Sequence, residues 1–128
     1  MFLPVTTLLA AFVALLKVYL AFRIIGLRRS RKVSTGSGGV AALERSARGH
    51  ANLIEWAPIA LILCALAEWQ GAPSVLLAPT ALVFAAGRAA HAYSFTREQE
   101  EFQWRAAGMH MTIWPLIGLV VMAVLSLL

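Results

Sequence analysis

Apolar residues in this chain run in four long blocks, at residues 3–27, 47–69, 74–95 and 102–128. Each is near the ~20 residues that a membrane-crossing helix needs. The segments between them are short and polar, so the pattern predicts helices over about 3–27, 42–70, 74–95 and 102–127 in one integral membrane domain covering residues 1–128. The second helix is drawn back to about residue 42 because Ala41-Ala42-Leu43-Glu44-Arg45 favours helix ahead of its apolar block. Residues 30–39, rich in Arg, Ser, Thr and Gly, read as a flexible loop. Thr96-Arg97-Glu98-Gln99-Glu100-Glu101 reads as a solvated charged turn. Inside the second helix, Pro58 removes the donor for the carbonyl of Ile54, which predicts a local kink or a bound water. The expectation is an all-α membrane protein, a four-transmembrane-helix bundle, with no internal repeat.

One polar feature interrupts the second block. Arg48, Asn52 and Glu55 are spaced four and three residues apart. At about 100° per residue they share a helix face roughly 60° wide, and at ~1.5 Å per residue they span ~10 Å. A cation, an amide and an anion thus stand in one column. A structural ion pair between helices is one reading. A site for a small zwitterionic ligand is the other, because ionisable groups at membrane depth are costly and usually functional.

Composition and charge then narrow the class. With 60% hydrophobic residues, 13% charged and a mean hydropathy of +0.76, the chain is too apolar for an ordinary soluble domain. The net charge of +5 is not spread as for a nucleic-acid binder. Arg28, Arg29, Arg31, Lys32, Arg45, Arg48, Arg88, Arg97 and Arg105 all fall toward one membrane side if the helices alternate in direction. The opposite turn, Glu68-Trp69-Gln70-Gly71-Ala72-Pro73, has no Lys or Arg. By the positive-inside rule both basic loops, between helices 1 and 2 and between 3 and 4, are cytoplasmic and both termini lie outside. The Arg28 to Lys32 cluster also suits anionic lipid. The first apolar block lacks a basic leader and a small-residue cleavage site and runs through Lys17 and Tyr19 into Arg23, so it reads as a helix, not a signal peptide. A single cysteine, Cys64, supports neither an intrachain disulfide nor a cysteine metal cluster, and no metal site is expected. So few helices leave little private interior, which predicts a homo-oligomer with shared polar faces.

The polar groups suggest their own ligand. Arginine forks suit carboxylates, a glutamate suits an ammonium, and an asparagine can pair with a peptide unit. Helix 3 adds Arg88 and His91 on one face, and helix 4 opens with Arg105 and carries His110 and Thr112. An extended tripeptide is at most about 10 Å long, which matches the column. The chemistry favours a peptide thiol such as glutathione over a phosphate compound, which Glu55 would repel.

Arg48-Gly49-His50-Ala51-Asn52-Leu53-Ile54-Glu55, followed by Pro58, resembles the signature of the MAPEG family, the membrane-associated proteins in eicosanoid and glutathione metabolism. The resemblance extends to Lys17-Val18-Tyr19, Arg29, Glu44-Arg45, Gly87-Arg88-Ala89-Ala90-His91 and Arg105, in order over nearly the whole chain. It implies a homotrimer binding glutathione in a U shape between subunits near the cytoplasmic face. By that resemblance Arg48, Asn52 and Glu55 hold glutathione from one subunit, Arg29 comes from its neighbour, Arg88 and His91 complete the pocket, and Arg105 stabilises the thiolate. The implied activity is a glutathione transferase or peroxidase acting on lipophilic electrophiles that enter from the bilayer lipid.

The departures are informative. Phe95 stands where the eicosanoid synthases carry a tyrosine, Tyr93 is on another face, and Ala106 and Met109 replace hydroxyl-bearing residues. Arg105-Ala106-Ala107-Gly108-Met109 with Thr112 is similar to the short bacterial branch, related to the microsomal glutathione transferases and expected in an inner membrane. A glutathione-binding scaffold without turnover is the main alternative. A haem or metal protein using His50, His91 and His110, and a small multidrug transporter built on Glu55, are further alternatives. On the wheel His50 faces about 160° away from the column, toward headgroups or a neighbouring subunit; Lys17 reads as a side chain that snorkels or pairs inside the trimer, and His110 as a satisfied polar residue in a helix interface.

Overall fold

The computed structural model describes residues 2–97 and 102–127. Its elements are four helices: α1 (Pro4–Arg31), α2 (Ala41–Trp69), α3 (Ser74–Ser94) and α4 (Phe102–Leu125). All four are long and apolar enough to cross a membrane. At ~1.5 Å per residue they measure about 30 to 45 Å, against a hydrocarbon core of ~30 Å. Residues 98–101 of the expected charged turn lie outside the described residues.

The first helix ends at Arg31 rather than at residue 27, where its apolarity stops. Arg28, Arg29 and Arg31 occupy its last turn, and cations there favour the carbonyl end of the helix dipole. Lys32 then turns left-handed, with φ 54°, and closes the helix by donating its N–H to the carbonyls of Arg28 and Arg29. At the other end, Leu3 in the capping position offers no side-chain acceptor. The acceptor comes from the far end of α2. Glu68 accepts the N–H of Val5 at 2.9 Å and that of Thr6 at 2.8 Å, while the Thr6 hydroxyl donates to Cys64 Sγ at 3.4 Å. A carboxylate in that place satisfies orphan donors and matches the dipole. Glu68→Ala is therefore expected to cost about 1–2 kcal/mol. It should appear as a lower thermal midpoint in detergent and faster amide exchange in the first turn of α1, with a smaller effect for Glu68→Gln.

Packing depends on small residues. The inner stripe of α2, Leu43, Ser46, Gly49, Leu53, Ala57, Ala60, Cys64 and Ala67, recurs every three or four positions and is buried throughout. Small side chains let helix backbones approach, the main source of packing energy where lipid competes for apolar contact. The approach is closest between α3 and α4. A Cβ added at Gly87 would lie 2.7 Å from the Met111 carbonyl oxygen, and one at Gly108 would lie 2.7 Å from the backbone nitrogen of His91 and 2.8 Å from the carbonyl of Gly87. The Met111 carbonyl is the one that Pro115 leaves without a helical donor. α1 packs on α2 and α3, and α4 packs on α2 and α3, so α2 and α3 separate the outer pair. Leu8, Phe22, Ile62, Leu82 and Trp114 are among the large apolar side chains left on the outside, as lipid contact requires.

Candidate functional site

The buried stripe of α2 fixes where the polar column points. Arg48 and Glu55 fall on the opposite side of the helix and are exposed, while Asn52 lies at the edge and is half-buried. Among the described residues neither Arg48 nor Glu55 makes a hydrogen bond or ion pair. The column is therefore not an ion-pair staple within one chain. The staple runs instead through Asn52, whose Oδ1 accepts a hydrogen bond from the Arg88 guanidinium at 2.7 Å.

Arg88 is the centre of this layer and only 2% exposed. Its Nε donates to Thr112 Oγ1 at 2.9 Å, and another guanidinium nitrogen lies 3.7 Å from Met109 Sδ. Thr112 Oγ1 in turn donates to the carbonyl of Gly108 at 2.7 Å. One side chain of α3 is thus tied to both α2 and α4. Among the described residues every acceptor of this charge is neutral, which is unusual for a buried guanidinium.

A second layer forms around Phe95, just past the end of α3. The buried His91 ring lies 5.2 Å from the Phe95 ring at an interplanar angle of 55°. The half-buried Arg105 guanidinium sits 5.9 Å from Phe95 and 5.8 Å from Phe102, both within cation–π range. Phe95 also rests against Gly49, where an added Cβ would be 3.0 Å from Phe95 Cβ. The phenylalanine that replaces a tyrosine thereby joins the signature on α2, the histidine on α3 and the arginine on α4. Of the residues expected to form the site, Asn52 and Arg88 share one layer, His91 and Arg105 share the other, and Arg48 and Glu55 flank them on the outer face of α2. Arg29 stays exposed in the last turn of α1.

Other polar residues sort clearly. Tyr93 is 41% exposed and packs edge-on against Trp104 at 5.9 Å, with Arg97 5.1 Å above its ring. His110 is exposed and lines an open groove of about 410 Å³ between α3 and α4 with Thr80 and Trp114. His50 is half-buried and Lys17 exposed. Sequence reasoning missed the role of Arg23. It donates to Ser46 Oγ at 3.3 Å and to the Thr96 carbonyl at 2.7 Å, clamping the end of α3 against α1 and α2. The available signal was an arginine one turn inside the first apolar block, which needs a partner at that depth.

The profile of the MAPEG family matches residues 6–125. This chain belongs to the MAPEG family. It is similar to the inner membrane protein YecN of Escherichia coli K12, with 36% identity over 119 residues covering 93% of this chain and 88% of YecN. The YecN protein of Escherichia coli O6:H1 strain CFT073 gives the same identity and coverage. Membership supports a glutathione-related role only at the level of the family, and the family resemblance read from the sequence is borne out over residues 6–125.

Proposed function

We propose that this MAPEG protein binds glutathione and presents its thiolate to lipophilic electrophiles, as a transferase or peroxidase of a bacterial inner membrane. The carrying observation is the exposed Arg48 and Glu55 on a membrane-crossing helix, bracketing an Asn52 already anchored on Arg88. Charged side chains facing lipid are costly, up to about 2.5–3.5 kcal/mol each at the middle of a membrane helix and less toward its ends. A neighbouring copy that covers them removes that cost, which supports a homotrimer with the site at the subunit boundary and Arg29 supplied by the neighbour. The candidate residues include three arginines, Arg48, Arg88 and Arg105, against one glutamate, Glu55. That positive excess suits an anionic peptide whose single ammonium takes Glu55 and whose carboxylates take Arg48 and the neighbouring copy's Arg29. His91 completes the wall beside Phe95.

Arg105 is assigned to the thiolate, since a nearby cation lowers a thiol pKa and raises its nucleophilic fraction. In transfer the thiolate sulfur bonds to an electrophilic carbon and a leaving group departs. In peroxide reduction the thiolate sulfur attacks the distal oxygen of a hydroperoxide, the O–O bond breaks and the other oxygen leaves as the alcohol. The resulting sulfenic acid condenses with a second glutathione to the disulfide, releasing water. The basic loops face the cytoplasm and both termini face outward, in keeping with the distribution of arginine.

Calorimetry on detergent-purified protein tests the reading. Wild type is expected to bind glutathione, and Arg48→Ala to bind it about tenfold or more weakly. Arg105→Ala is expected to keep binding but lose the thiolate absorbance at about 240 nm. No binding by wild type overturns the reading. Binding without any thiolate band in wild type supports a non-catalytic glutathione scaffold, the second reading, which the replacement of hydroxyls by Phe95, Ala106 and Met109 favours.

A further inference from the structure

Resting on the proposed glutathione site, we infer that Arg88 is a positioning residue that fixes the polarity of Asn52, so that Asn52 offers the ligand only N–H donors and selects a carbonyl or carboxylate oxygen.

A guanidinium has donors and no acceptor, so whichever amide atom of Asn52 faces Arg88 at 2.7 Å must be the oxygen. The side-chain amide cannot flip without setting N–H against N–H in a buried layer. Arg88 itself is held from turning by the Thr112 hydroxyl, which accepts from its Nε at 2.9 Å and is itself oriented by donating to the Gly108 carbonyl. The chain of polarity therefore runs from the backbone of α4 through Thr112 and Arg88 to Asn52. It leaves the Asn52 Nδ2 without a partner among the described residues, on the edge of the column between Arg48 and Glu55. At 2% exposure, with its nitrogens directed to Thr112, Asn52 and Met109, Arg88 acts on the ligand through Asn52.

This assigns a direction to the central contact. The ligand oxygen at Asn52 is an acceptor, with Arg48 on one side and Glu55 on the other. A ligand presenting an N–H at that height meets donors and is rejected, since an unpaired buried polar group is more costly than a missing contact.

Asn52→Asp separates this polarity from its opposite. The substitution is close to isosteric and keeps an acceptor for Arg88, so the layer stays intact. It removes both donors and places an acceptor against the ligand oxygen. Glutathione binding to the full-length protein in detergent is expected to weaken about tenfold or more. Thr112→Val, which removes the hydroxyl holding Arg88, is expected to weaken binding several-fold, and Thr112→Ser, which retains it, to restore wild-type affinity. Thermal midpoints of the ligand-free variants report folding separately. Equal or tighter binding by Asn52→Asp overturns the inference while leaving the glutathione reading intact, and so does an equal loss in Thr112→Val and Thr112→Ser. Failure of wild type to bind glutathione removes both.

Discussion

Gly108→Ala is expected to destabilise the protein by about 3 kcal/mol or more, toward the upper end of overpacking effects. The added methyl would meet backbone atoms, not movable side-chain ends: the His91 nitrogen at 2.7 Å and the Gly87 carbonyl at 2.8 Å. Neither can retreat without parting α3 from α4, whose contact is the most extensive in the bundle. That separation would also reach the site. Thr112 hydrogen-bonds the Gly108 carbonyl and orients Arg88, and His91 leads to Phe95. Gly118→Ala supplies the contrast on the same helix, because its Cβ would meet only Thr80 Cγ2 at an ordinary 3.6 Å. There the helix propensity of alanine is expected to leave stability unchanged or raise it by up to about 1 kcal/mol. Unfolding of both variants in mixed micelles with increasing dodecyl sulfate measures the difference. Similar losses for the two would show that α3 and α4 part easily.

The helices were legible because their apolar blocks are as long as a membrane is thick, and length is the property that periodicity cannot disguise. The boundary of α1 was less so. Its last turn is polar and is held by arginines at the carbonyl end and by the left-handed Lys32, neither of which hydropathy detects. The N-terminal cap of α1 was hidden for a different reason. Its acceptor, Glu68, is more than sixty residues away, and no local motif encodes a contact that only the antiparallel pairing of α1 and α2 creates. Arg23 and Ser46 were missed likewise.

In the candidate site, helical spacing correctly grouped Arg48, Asn52 and Glu55 on one face. It did not reveal that the middle residue is turned toward α3 while the outer two stay exposed, because the buried stripe passes only beside Asn52. Arg88 and His91, three residues apart, were expected to act together. In the structure Arg88 joins the Asn52 and Thr112 layer, whereas His91 packs on Phe95. The division comes from α4, which presents Thr112 to one layer and Arg105 to the other. Such partition depends on which neighbour sits opposite each turn, information that one sequence carries only implicitly.

Arg88→Met is expected to separate stability from binding. Burying a guanidinium costs several kcal/mol even after local relaxation. Against that stand hydrogen bonds to Asn52 and Thr112, worth about 1–3 kcal/mol each when one partner is charged, and a weaker contact with Met109. The terms nearly cancel, and a methionine of similar reach fills the space with flexible apolar surface. The groups left behind are not stranded: Thr112 keeps the Gly108 carbonyl, and half-buried Asn52 can reach water. The ligand-free variant should therefore keep its thermal midpoint to within about 1–2 kcal/mol of stability. Glutathione affinity should fall about ten- to a hundredfold, because the site loses a positive charge and Asn52 becomes free to turn its oxygen outward. A ligand-free variant that unfolds instead would make Arg88 a helix staple, the reading first open for the polar column. A variant that folds as well and no longer binds would show that this buried charge is kept for the anion it helps to receive, not for stability.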